Sequence, residues 1–218
     1  MSKALAVWTD FGGVLTPPIE VTMGAFCRVV AVPPPALRQA MYKVAQGYGT
    51  DVMAPLDTPL VSEEEWCRKV EEVLLKEHGL TTDLSDFAAK WFTDRQTNEA
   101  WLTKLRALRA EGVFLGLLSN MVPSWDKHWR QMVPDSLFDR VVLSFEVGHR
   151  KPEKGIFDLA ARAAGVAPWQ CVLVDDLEDN CEGARAAGWQ SVRFTDTAAA
   201  AQRLDELQAD VASTTSGR

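Results

Sequence analysis

The chain has 218 residues, 47% of them apolar and 24% charged, which suits an ordinary globular protein with one sizeable α/β domain and a smaller insert. A net charge of −7 with no basic stripe excludes a general nucleic-acid partner, and no apolar run is long enough to span a bilayer. Cys27, Cys67, Cys171 and Cys181 form no C-x-x-C pair, and His78, His128 and His149 are scattered, so a structural zinc site is not expected.

The first predicted strand, Ala4–Thr9, begins with no leader-peptide pattern ahead of it, so a reducing cytoplasm is the expected compartment. It leads into Asp10 within the run WTDFGGVL. The stretch that follows, about Pro17 to Thr97, is far longer than a βαβ crossover requires and reads as helical throughout. Within it, Pro33-Pro34-Pro35 introduces an amphipathic helix with Leu37, Met41 and Val44 at helical spacing. Ser62 with Glu65 makes a capping box that opens a helix to about His78, and a further helix is predicted from Asp83 to Phe92.

Strands and helices then alternate. Helix Asn98–Glu111 precedes strand Val113–Ser119, and strand Val141–Phe145 precedes helix Glu153–Ala164. Strand Cys171–Val174, helix Cys181–Ala187 and strand Ser191–Phe194 complete the series. Gly112, Gly165 and Gly188 fall where helices should stop in a left-handed cap. From Ala198 an amphipathic helix is expected to fray into Ser213-Thr214-Thr215-Ser216-Gly217. Several strands are continuous apolar runs, as in a sheet buried on both faces, and the alternation predicts an α/β, doubly wound parallel sheet. Residues 1–16 and 98–197 would form this core, 17–97 an inserted helical domain, and 198–218 the tail.

Ligands of such sheets bind beyond the carboxyl ends of the strands. There the chain places Asp10, then Ser119 in LLSNM, Lys151 in VGHRKPEKGIF, and Asp175-Asp176. Singly, each has a plain structural explanation, such as a cap or a turn. Together they suit phosphoryl transfer. Asp10 would attack phosphorus and become an aspartyl-phosphate. A magnesium ion bridging Asp10 and the phosphate would be held by Asp10, Asp176 and one backbone carbonyl. Lys151 would neutralise charge on the transferring oxygens, and Ser119 would donate a hydrogen bond to one of them. Pro152 is expected at the first position of the next helix, which would put Lys151 at its positive end.

These motifs, in this order, resemble those of the haloacid-dehalogenase-like hydrolases. FGGVL after Asp10 is similar to that family's first motif and LLSN to its second. FDRVVLSFEVGHRKPEKGIF is similar to the third, and CVLVDDLEDNCEGARAAGW to the fourth in its two-acid form. The resemblance implies a Rossmann-like core whose helical insert is a cap that closes over the site. It further implies that Asp176 holds the metal while Asp175 orients its waters, and that Gly12, Asn120 and Lys151 meet the phosphate. The chain departs from the pattern at Gly12, where most phosphatases of the superfamily carry an aspartate that protonates the leaving group. The Gly12 carbonyl can still serve the metal, but leaving groups that need little protonation are expected, such as anomeric, acyl or aryl phosphates.

Two other readings stay open: a metal-free 2-haloacid dehalogenase using Asp10, and a non-catalytic binding protein on the same fold. The paired acids Asp175-Asp176 favour phosphate over halide. Trp125, His128 and Trp129 are candidates to line the pocket or to pack on the sheet, and Arg38, Tyr42, Lys43 and Tyr48 are candidate cap contacts. His149 or a metal-bound water is a candidate proton donor. A small-molecule phosphate is the expected substrate, and a homodimer is compatible with the sequence.

Overall fold

The computed structural model of the protein describes residues 5–215. Its centre is a five-stranded parallel sheet in the order β3-β2-β1-β4-β5. The strands are β1 (Ala6–Thr9), β2 (Phe114–Ser119), β3 (Arg140–Leu143), β4 (Cys171–Asp175) and β5 (Gln190–Arg193). From β1 the chain winds outward through β2 to β3, then crosses to the other side of β1 for β4 and β5. The carboxyl ends of β1 and β4 therefore flank the point where the winding reverses, the crevice in which such sheets bind ligands. Thr9 is level with Val174 in the β1–β4 register, which sets Asp10 beside Asp175.

Between β1 and β2 lies a helical insertion: α1 (Ile19–Val30), α2 (Pro34–Gln46), α3 (Ala54–Asp57), α4 (Glu63–His78) and α5 (Phe87–Trp91). The later helices are α6 (Glu99–Ala110), α7 (Asp126–Met132), α8 (Ser144–Val147), α9 (Lys154–Ala164), α10 (Glu178–Ala186) and α11 (Thr197–Thr215). Among them, α9 and α10 cover one face of the sheet, and α6 and α11 lie on the other.

Side-chain alternation along β1 feeds two cores. Ala6 and Trp8 pack with Phe157 of α9, Ala184 of α10 and Trp189, while Leu5 and Val7 join Leu105 of α6 and Leu204 of α11. Trp8 needs a gap in the neighbouring strand, and Gly116 supplies it: a Cβ there would stand 2.2 Å from the indole. Helix ends are as expected at several points. The Ser62 hydroxyl accepts from the Glu65 amide at 3.2 Å, and Gly112, Gly165 and Gly188 all have positive φ. The Glu65 carboxylate pairs forward with Lys69 at 2.9 Å.

Four expectations are corrected. The predicted helix from Asp83 shrinks to Phe87–Trp91, because the Asp83 carboxylate accepts from the Ser85 amide at 2.9 Å and Asp86 is left-handed at φ 52°. Such a local side-chain bond competes with the helix ladder. The insertion is therefore not helical throughout. β3 ends at Leu143, and Phe145 belongs to the short turn of α8. Pro152 is not at the first helical position: Glu153 caps α9, so Lys151 stands three residues ahead of it. At the carboxyl end the backbone is helical to Thr215, past the expected fraying at Ser213; Ala4, Ser216 and Gly217 lie outside the described residues. No helix among the described residues is long and apolar enough to cross a membrane.

Candidate active site

The strand ends hold Lys151 as the hub of the site. Its ammonium lies 2.9 Å from Asp10 Oδ1 and 2.5 Å from Asp175 Oδ2, and the residue is 1% exposed. Burial alone would lower a lysine's affinity for its proton. The Asp10 and Asp175 carboxylates outweigh that and raise its pKa, so Lys151 is a fixed cation. Its backbone is clamped by Asn120, whose amide nitrogen donates to the Lys151 carbonyl at 2.9 Å and whose amide oxygen accepts from the Lys151 N–H at 2.8 Å. The Asn120 side chain thus positions Lys151.

Asp175 is fully buried, and its oxygens are taken up by the protein. Oδ2 meets Lys151, while Oδ1 accepts from the Leu177 amide at 2.9 Å and from Asn180 Nδ2 at 3.0 Å. Asp10 has fewer partners: its N–H donates to the Val174 carbonyl at 2.9 Å, fixing the turn after β1. Burial raises the Asp10 pKa, opposed by Lys151 and by a hydrogen bond from Ser119. Asp176 lacks a nearby cation of its own, and burial together with the charges of Asp10 and Asp175 pushes its pKa up to about 7.

The turn after β1 makes this crowding feasible. Gly12 is extended (φ −72°, ψ 131°), and Gly13 is left-handed at φ 77°. A Cβ on Gly13 would stand 2.0 Å from Asp176 Oδ2, so only glycine lets that carboxylate approach Asp10.

Oxygens of Asp10, Asp175 and Asp176 lie within 4.8 Å of one another. Three carboxylates share one ammonium, and the donor set is all oxygen, which fits magnesium better than a softer metal. Asp10, Ser119, Lys151 and Asp176 line a cavity of about 190 Å³. The insertion supplies much of the opposite wall through Ile19, Met53, Asp57, Trp91 and Arg95. Trp125 also lines the cavity, stacked on Trp91 at 5.4 Å and 15°. Its neighbours on α7 pack instead: Trp129 meets the edge of Phe11, and His128 stacks on Phe92 at 5.1 Å.

Several candidates do not reach the cavity. Tyr42 is 53% exposed, Lys43 pairs with Glu77, and the Tyr48 hydroxyl accepts from Lys69 at 2.7 Å. Arg38 is likewise not among the lining residues. His149 lies outside the wall as well, 3.4 Å from Glu153 on the exposed side. Three charged lining residues escape sequence reasoning. Arg150 grips Asp57 with two hydrogen bonds, Nε to Oδ1 at 2.8 Å and Nη2 to Oδ2 at 2.9 Å, tying α3 to the core. Arg95 completes the set. Arg150 lies within the third motif beside Lys151, but nothing there marks it as a partner of Asp57, and Asp57 and Arg95 lie in no periodic or spaced motif.

The model of the haloacid dehalogenase-like hydrolase family matches residues 5–188, most of the chain. The chain belongs to that family. Among the relatives of this haloacid dehalogenase-like hydrolase is a glyceraldehyde 3-phosphate phosphatase of Methanopyrus kandleri, 33% identical over 66% of this chain and 71% of the relative. Another is a phosphoserine phosphatase of Thermus thermophilus, 31% identical over 78% and 74%. A solved HAD family enzyme of Bacteroides thetaiotaomicron, in complex with magnesium and inorganic phosphate, superimposes with a TM-score of 0.62 over 87% of this chain and 93% of that one, at 21% identity. That likeness concerns the fold.

Proposed function

We propose that this hydrolase is a magnesium-dependent phosphatase of a small-molecule phosphate monoester, with Asp10 as nucleophile. The observation that carries the reading is the clustering of Asp10, Asp175 and Asp176, two of them paired with the Lys151 ammonium, on a cavity that Asp10, Lys151 and Asp176 line. Asp10, Asp176 and the Gly12 carbonyl would hold the ion. When bound, it lets two anions meet by neutralising charge between them.

The chain's own groups do the rest. Lys151 and Ser119 orient the phosphoryl group against Asp10 by charge and hydrogen bonding. An Asp10 oxygen bonds to phosphorus as the bond to the leaving oxygen breaks, giving an aspartyl-phosphate. Water then attacks that phosphorus, releasing inorganic phosphate and restoring the Asp10 carboxylate. Asp175 keeps Lys151 charged and in place, and the apolar wall excludes bulk water. A cavity of about 190 Å³ suits a small metabolite.

The test is phosphate release from a panel of phosphorylated metabolites with magnesium. Activity that is abolished by a chelator and restored by magnesium is expected. Hydrolysis of 2-haloacids unaffected by chelation, with no phosphate released from any ester, would overturn the reading.

A further inference from the structure

Each cation on the cavity wall is balanced, except one. Lys151 answers Asp10 and Asp175, and Arg150 answers Asp57 and Asp51. Arg95 has no such partner among the described carboxylates. Its guanidinium lies 5.0 Å from the Phe11 ring centre and 5.1 Å from that of Phe92, and Nη2 donates to Thr16 Oγ1 at 2.7 Å. Nε and Nη1 are buried without any hydrogen-bond partner. Burial pushes the Arg95 pKa down to about 10, opposed by the charge of Asp10. A buried guanidinium with two nitrogens left without a hydrogen bond is costly, and an anion entering the cavity would offset that cost.

The position of Arg95 indicates which anion. The attacking oxygen comes from the end of β1, so in-line displacement puts the leaving oxygen on the opposite side of phosphorus, toward the insertion. Arg95 belongs to the insertion, lines the cavity and stands over the turn of the nucleophile: a Cβ on Gly12 would meet only Arg95 Nη2, at 3.7 Å. No proton donor shares this wall. Asp57 is bound to Arg150 through both oxygens, and Ile19, Met53 and Trp91 carry no acid.

We infer that Arg95 is a catalytic residue that receives the leaving oxygen and stabilises it as an anion. The inference rests on the phosphatase reading and deepens it. As the phosphorus–oxygen bond breaks, its electron pair stays on the leaving oxygen, which departs hydrogen-bonded to the guanidinium. Solvent protonates it after release, and Arg95 keeps its own protons. The substrate class that follows is phosphate esters of acidic hydroxyls, such as phenols, enols or anomeric hydroxyls.

The test is kcat/KM with magnesium across phenyl and fluorinated ethyl phosphates of graded leaving-group pKa, for the native protein, Arg95→Met and Arg95→Lys. Methionine keeps an apolar side chain between Phe11 and Phe92, and lysine keeps the charge. For Arg95→Met, the loss should grow with leaving-group pKa, reaching about a hundredfold or more for the poorest leaving groups. Arg95→Lys should recover part of that slope, and if Arg95→Met does not fold, the lysine variant alone must still show a slope steeper than native. An active native protein whose variants run parallel to it, losing the same factor for every ester, would overturn the role of Arg95 alone. A native protein inactive on every ester would overturn the phosphatase reading itself, before any variant is compared.

Discussion

At the residue scale, Asp10 and Lys151 are mutually dependent, since each is buried and each opposes the effect of burial on the other's charge. Asp10→Asn keeps the volume and removes the nucleophile, so turnover should vanish while circular dichroism stays native. Asp176 behaves differently, because it faces the cavity with no cation of its own. With its pKa at about 7 in place of 3.8, the folded metal-free protein holds a proton there that the unfolded chain has lost. The contribution of Asp176 to metal-free stability therefore falls as pH rises from about 4 through 7. Magnesium must displace the same proton. Its affinity, by isothermal titration, should rise between pH 6 and pH 8, and magnesium should raise Tm more at pH 8 than at pH 6. Asp176→Asn should weaken magnesium binding and remove most of this pH dependence.

At the scale of elements, the strand ends were legible and the insertion's contribution was not. Ser119 and Asp175 end buried strands, Asp10 and Asp176 directly follow them, and Lys151 lies in the loop beyond β3 and α8; in a parallel sheet that pattern fixes which edge they share. Asp57 and Arg150 meet across 93 residues of sequence, and no local period encodes such a pairing. The same applies to Arg95, whose partner Thr16 is 79 residues away. Tyr42 and Lys43 misled for a related reason: helical spacing marks the buried face of α2, but gives no sign of what its other face meets. The Arg150–Asp57 clamp joins α3 to the loop that carries Lys151, and Ser144 reinforces it by donating to the Asp57 carbonyl at 2.6 Å. Asp57→Ala leaves Arg150 only the exposed Asp51 as a partner, so urea denaturation should show a loss on the order of 2 kcal/mol. Gly116→Ala drives a methyl group into the Trp8 ring and should cost about 1–3 kcal/mol, with catalytic constants little changed.

At the scale of the whole molecule, the cavity draws on separate stretches of chain. Groups suited to chemistry come from the turns after β1, β2 and β4 and from the loop before α9, while Ile19, Met53 and Trp91 come from the insertion. These three are apolar and offer the carboxylate cluster no ligand atom or charge, so Ile19→Ala, Met53→Ala or Trp91→Phe should alter the relative kcat/KM among esters while leaving magnesium affinity unchanged. The separation has a consequence for how such a protein can diversify. Selection for a new metabolite can act on one contiguous segment without passing through variants that have lost the reaction. A library confined to that segment and sparing Arg95 and Asp57 would sample new preferences on a constant catalytic chassis, and most of its members would still turn over some ester.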